Sequence, residues 1–399
     1  MTSFDTSPQP NAWRALLALA VAFVMLATTG WTALRQQRNA APLPAALTAW
    51  EHGRMAGREL PDPQSAPAGL ARFFASLTEA QRMSLARRFP LAVGNMNGAP
   101  VDLRYRANRI ALEQAREVER KRMRDTRLTP AGQHQAGRRM NRLGTLMSPG
   151  RQILAFNPSG PGRVAEVFGD LDEAERVSVV VPGVDTDLLT FQRTHRRHSA
   201  PVGMAEALRA AEHEADPSTR TAVIAWADYT APGGLGMEAA MARRAEAGAV
   251  RLDALLRALP GAAPVSLFCH SYGSVVCGLA ASTLPGRVTD IAVAGSPGMR
   301  AETASQLRTH ARVWAMRDAD DWIQDVPYLE VGGLGHGADP VSPGFGARVL
   351  SAREAEGHSG YFEPGTDSLR NFAEIGVGAY RAVACAHEDG VCRAGLSYA

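Results

Sequence analysis

From Ala15 to Leu34 the chain runs twenty residues without a charge. At 1.5 Å rise per residue, a helix of that length spans roughly 30 Å, the thickness of a bilayer's hydrocarbon. The pattern predicts a single membrane crossing, with a cleaved secretory signal as the competing reading; the run is long for a cleavable core, and no small-x-small site ends it. Arg14 lies on one side of the run, and Arg35, Arg38, Arg54 and Arg58 follow on the other. That bias favours a cytoplasmic C-terminal portion.

Residues 39–69 are rich in Ala, Pro and Gly and read as a linker with room for one short helix. Helical patterning then begins near Leu77, where Thr78 and Gln81 have capping-box spacing, and a second helix is expected from about Asp102 to Arg124. Its basic residues alternate with Glu113, Glu117, Glu119 and Asp125, which favours a solvated face over a lipid-binding one.

From about residue 150 short apolar runs alternate with helical stretches and Gly/Pro turns, the pattern of a mostly parallel sheet covered by helices. Strands are expected at 152–156, 177–181, 222–226, 265–269, 290–294 and 313–316, and helices at 204–214, 237–258, 275–283 and 368–382. The predicted architecture is a doubly wound, mostly parallel α/β sheet. It divides into a tail and transmembrane anchor (1–38), a linker (39–69), a helical segment (70–150) and the α/β domain (151–399).

Charge and cysteine content narrow the chemistry. A net charge of +3 from 43 basic and 40 acidic residues gives no electrostatic footprint for nucleic acid. Lys121 is the only lysine, which disfavours Schiff-base chemistry. Cys269, Cys277, Cys385 and Cys392 are too scattered for a disulfide scaffold or a four-thiolate zinc site, so neither metal nor cofactor is expected. Cys385 and Cys392 enclose a short loop that either closes as a disulfide or stays reduced. The closed form would set the domain outside the cytosol, against the charge bias.

The sharpest chemical signal is Val265-Ser266-Leu267-Phe268-Cys269-His270-Ser271-Tyr272-Gly273-Ser274-Val275, an apolar strand, a tight turn and an apolar helix start with serine at the apex. Such an elbow exposes the hydroxyl above the sheet and aims helix N-terminal amides at a developing oxyanion. Gly273 keeps the small-residue rule, whereas Cys269 departs from it and leaves open a buried thiol. A serine hydroxyl needs a histidine to take its proton, and that imidazole needs a carboxylate on its other nitrogen.

In sheets carrying this elbow the chain order is serine, acid, histidine. After the strand ending at Met316 come Asp318, Asp320 and Asp321, of which Asp321 is the first choice, Asp320 the second and Asp318 the third. His358 precedes the final amphipathic helix, where the base is needed. His270 should point away from the serine, His336 reads as structural or pocket-lining, and His195 and His198 lie too far upstream. The oxyanion donors are expected from Tyr272 and from the Pro182-Gly183-Val184-Asp185 turn, at Gly183 with Val184 or Asp185.

An ordered set of motifs runs through residues 70 to 380. It comprises Leu77-Thr78 with Gln81, Pro90 with Val93-Gly94-Asn95, Arg106-Ala107-Asn108-Arg109, Val181-Pro182-Gly183, Trp226 with Tyr229, His270-Ser271-Tyr272-Gly273-Ser274, Gly295-Ser296-Pro297-Gly298, Gly335-His336-Gly337 and Gly357-His358-Ser359 with Tyr361. In these the chain resembles the alpha/beta-hydrolase group formerly catalogued as domain of unknown function number ten twenty-three. The resemblance implies the same serine, aspartate and histidine placement. Cys269 stands where glycine is usual, and Trp322 where proline is common.

The expected activity is therefore a serine hydrolase acting on an ester, or on a thioester or amide, through an acyl-enzyme. The anchor adds lipid-like acyl compounds to the candidate substrates without naming one. The alternative is a catalytically inactive, membrane-tethered binding or scaffold module, since fold alone does not guarantee chemistry.

Overall fold

The computed structural model describes residues 41–386 and 391–396. The membrane span expected at 15–34 lies outside the described residues. Among the described residues, no helix is long and apolar enough to cross a membrane.

The chain enters through helices α1 (Pro42–Glu51), α2 (Pro67–Ala75), α3 (Glu79–Arg88), α4 (Pro90–Asn95), α5 (Val101–Met123) and α6 (Pro130–Leu146), with a small hairpin pairing Arg54–Met55 with Arg58–Glu59. Four of these helices, α1, α2, α4 and α6, take a proline in the first turn, where the missing N–H costs nothing. The Thr78 and Gln81 capping box forms at the start of α3.

The loose linker expected at 39–69 is not what the described residues 41–69 form. Trp50 is fully buried, its ring set against Phe73, Phe74 and Phe89, and Leu60 and Leu70 join the same cluster. A Pro/Ala/Gly-rich composition concealed a few large apolar side chains, and burying one aromatic ring is worth several times the loss of freedom of a single residue. Most of the segment is thus tied to the helical block.

The sheet has eight strands: β1 (Gln152–Asn157), β2 (Arg163–Phe168), β3 (Arg176–Val181), β4 (Thr221–Ala227), β5 (Val265–His270), β6 (Val288–Ala294), β7 (Arg312–Met316) and β8 (Arg348–Val349). Their spatial order is β8-β7-β6-β5-β3-β4-β2-β1. Pairing is parallel from β8 to β4, while β2 runs antiparallel to both β4 and β1. β2 was not expected from the pattern. A charged Glu166 interrupts its apolar run, and that carboxylate is buried against Arg151.

Helices α7 (Pro201–Ala215), α8 (Met237–Ala240), α9 (Arg243–Ala258), α10 (Gly273–Ala280) and α11 (Asp367–Val377) complete the fold. Apolar clusters lie on both faces of the sheet, one around Val179, Leu252 and Val276 and the other around Val180, Leu208 and Phe372. Successive residues of β3 fall into opposite clusters, as period-two alternation in a doubly covered sheet demands. The single helix expected at 237–258 is broken at Met241, which forms an isolated bridge with Leu334.

The helical block is fastened to the edge of the sheet by two asparagines. Asn95 donates to the Phe156 carbonyl at 2.7 Å and accepts from the Phe156 amide at 3.1 Å, and Asn108 donates to the Ile153 carbonyl at 2.8 Å. These bonds satisfy backbone groups of β1 that an open edge would leave unpaired.

Candidate active site

The site lies at the C-terminal ends of the central strands, where an α/β sheet places ligands. Ser271 follows directly on β5 with φ of +54°, a left-handed conformation that is strained for a residue with a side chain. Its amide donates to the Ala294 carbonyl at 3.0 Å, and its carbonyl accepts from the Ser274 amide at 2.9 Å, so the bend is held from both sides. Gly273 lies so close to the carbonyls of Val181, at the end of β3, and of Pro182 just after it that any side chain there would collide with backbone.

The structure brings the three sequence-predicted groups together. Ser271 Oγ lies 2.8 Å from His358 Nε2, and His358 Nδ1 lies 2.9 and 3.1 Å from the two carboxylate oxygens of Asp321. Of the three aspartates only Asp321 reaches the imidazole. Asp318 instead accepts from the Gly357 amide at 2.9 Å, which fixes the loop carrying His358, and Asp320 is exposed.

Asp321 is fully buried, and burial alone would raise its pKa. Hydrogen bonds from His358, Tyr361 and the Ile323 amide, with the nearby imidazole's charge, outweigh that and hold the carboxyl below its ordinary value. The carboxylate therefore stays ionised to support an imidazolium. Tyr361 Oη donates to Asp321 at 2.5 Å and accepts from the Asp318 amide at 3.0 Å; burial first, then the adjacent carboxylate, raises its pKa and keeps it a donor.

His270 points away from the nucleophile, as expected. Its Nε2 contacts the His358 carbonyl at 2.6 Å, and burial pushes its pKa down to about 3, so a neutral ring donates to and steadies the His358 backbone. His336 lines a cavity beside Ser271, with Nε2 2.7 Å from the Ala239 carbonyl. His198 is engaged with Glu363 at 2.6 Å, and His195 is exposed.

The oxyanion candidates sort themselves by what their amides already do. Asp185 is excluded, because its amide donates to the Pro232 carbonyl at 2.9 Å. Among the described residues, neither the Tyr272 nor the Val184 amide has a protein acceptor. A Cβ at Gly183 would lie 2.9 Å from Ser271 Oγ, so its turn passes directly beside the nucleophile. Tyr272 and Val184 also line a cavity of about 260 Å³ that opens onto Ser271.

Two features of the site escaped the sequence reading. Gly295, with φ of +54°, lies beneath the acid and base, where a Cβ would sit 2.8 Å from Asp321 and 3.1 Å from His358. The Gly-Ser-Pro-Gly motif was the available signal, without a role attached to it. Cys269 and Cys277 form a disulfide across the elbow, joining the end of β5 to α10, so the buried thiol left open by the sequence is not present. Cys385 and Cys392 are also bridged. Among the described residues, no group of His, Cys, Asp or Glu is disposed to hold a metal ion.

A family described as "Alpha/beta hydrolase" matches residues 157–331. An uncharacterized protein of Mycobacterium tuberculosis strain H37Rv is 27% identical over 381 residues, covering 80% of this chain and 57% of its own length. The chain thus spans little more than half of that relative. An uncharacterized protein of Mycobacterium bovis is 35% identical over 162 residues, 39% of this chain and 60% of its own length. The solved structure of a 2,6-dihydroxy-pseudo-oxynicotine hydrolase covers 63% of this chain and 81% of its own, at 10% identity and a TM-score of 0.27. The strand order, the elbow and the family match together make this chain a protein of the alpha/beta-hydrolase fold.

Proposed function

We propose that the chain is a serine hydrolase that cleaves a carboxylic ester, with thioesters and amides as further substrates, through an acyl-enzyme. The observation that carries this reading is the unbroken hydrogen-bonded line from Ser271 through His358 to Asp321, with the serine on a strained bend. His358 takes the hydroxyl proton as Ser271 Oγ bonds to the substrate carbonyl carbon. The Tyr272 and Val184 amides stabilise the oxyanion that forms. Collapse breaks the bond to the leaving group, which receives the proton from His358, and water then repeats the sequence to free the acid.

The finer family reading, membership in the group once numbered ten twenty-three, is supported by the roles found for its motif residues. Gly183, Gly295, Asn95, Asn108 and Tyr361 all make contacts that few other residues could replace. Two disulfides favour a catalytic unit held by the N-terminal segment on the oxidising side of a membrane, against the charge bias near the anchor.

The test is labelling with a fluorophosphonate probe. Wild type should label and Ser271→Ala should not; equal labelling of both, or none in a folded wild type, would overturn the reading.

A further inference from the structure

Resting on the serine-hydrolase reading, we infer that Trp322 splits the site into two subsites, and that the substrate joins a compact apolar acyl group to a polar, non-anionic alcohol. Trp322 is 39% exposed, unusual for so large an apolar side chain, and its ring lies 4.5 Å from that of His358. It lines two cavities. The first, of about 260 Å³, contains Ser271 and is walled by Val184, Leu235, Val326 and His336. The second, of about 780 Å³, contains His358 but not Ser271 and is lined by Arg196, Ser199, Glu354, Glu356 and Glu363.

The chemistry assigns an occupant to each. The acyl carbon bonds to Ser271 Oγ and its oxygen faces the Tyr272 and Val184 amides, and all three residues line the first cavity, so the acyl chain lies there. The bond that breaks releases an oxygen that must take its proton from His358 Nε2, so the leaving group lies on the histidine side of Trp322, in the second cavity. At roughly 30 Å³ per water-sized group, the first cavity holds about nine such groups, the size of a short to medium acyl chain. Its walls are mainly apolar, whereas the second is rimmed by hydroxyls and by three carboxylates against one guanidinium, with His198 engaged by Glu363. A polar alcohol is accepted there, and an anionic one is repelled.

The experiment measures kcat/KM on two ester series at low ionic strength, beside fluorophosphonate labelling. With a 2-hydroxyethyl leaving group, butanoyl, hexanoyl and octanoyl esters should exceed the palmitoyl ester at least tenfold. With a hexanoyl group, the 2-hydroxyethyl ester should exceed the 2-sulfoethyl ester about tenfold, and the Glu354→Gln/Glu356→Gln double variant should narrow that ratio to threefold or less. Trp322→Ala should raise the palmitoyl-to-hexanoyl ratio about tenfold. Leu235→Trp, at an exposed position on the first cavity, should lower the octanoyl-to-butanoyl ratio about tenfold. Labelled wild type that prefers palmitoyl or sulfoethyl esters, or ratios unmoved in both Trp322→Ala and Leu235→Trp, overturns the two-subsite assignment and leaves the serine chemistry standing. Absence of labelling removes the serine chemistry itself.

Discussion

Replacing Gly183 by alanine tests the geometry around the nucleophile more sharply than removing a catalytic group does. Gly183 has no left-handed φ, so alanine suits its backbone and the added methyl is the whole perturbation. That methyl would sit 2.6 Å from Ser271 Cβ, about 0.8 Å short of an ordinary 3.4 Å contact, as well as 2.9 Å from Oγ and 3.2 Å from the His270 carbonyl. Ser271 cannot yield freely, since its amide and carbonyl are both hydrogen-bonded within the elbow. The strain must therefore displace either the nucleophile or the turn carrying the Val184 amide. A misplacement approaching 1 Å costs about a hundredfold in rate, or about 2.7 kcal/mol in the barrier. Overpacking should lower stability by only about 1–3 kcal/mol, so the variant remains folded.

The assay is kcat/KM on a short-chain ester, with the fluorophosphonate labelling rate and a thermal melt on the same samples. Gly233→Ala is the control, because nothing lies within 4 Å of its added methyl. Gly183→Ala should lose about a hundredfold in both rates while Gly233→Ala matches wild type. A folded Gly183→Ala within threefold of wild type would refute the argument that this turn and the serine are in enforced contact.

Asp321→Asn should reduce kcat about ten-thousandfold, because the imidazole loses its carboxylate, and steady-state hydrolysis measures it. Tyr361→Phe removes a donor to Asp321 rather than a reacting group, so kcat should fall about tenfold with KM unchanged, and a shifted pH-rate profile would separate positioning from mere packing. Glu212 is fully buried beside Ser178, and burial raises its pKa to about 7 against the opposing hydrogen bonds of Ser178 and Thr221. The folded state therefore holds that proton more tightly than the unfolded one, so stability should fall by about 3 kcal/mol as pH rises from the ordinary glutamate range to about 7, and then level off. Glu212→Gln should abolish that slope in urea unfolding from pH 5 to 8, and an unchanged slope would count against it. Replacing Cys269 and Cys277 together by alanine opens a loop closed by residues eight apart and should cost about 2.5 kcal/mol in the same unfolding measurement.

The sequence by itself determined whatever depends on local periodicity and local sterics. Five strands of the parallel core and the edge strand β1, the capped start of α3 and the elbow at Ser271 all announce themselves in short stretches, because side-chain alternation and turn chemistry act over a few residues. Tertiary structure decided what depends on which distant groups meet. The sequence ranks three neighbouring aspartates with Asp321 first, but it does not show what each one holds: in the fold Asp321 turns to His358 while Asp318 takes the Gly357 amide. The same reason hid the order in residues 41–69, where Trp50 has no partner until Phe73, Phe74 and Phe89 fold against it. It hid strand β2, whose Glu166 looks polar until Arg151 neutralises it in the sheet. The division of the site by Trp322 belongs to the same class, since its two cavities are assembled from loops far apart along the chain and a cavity has no local signature.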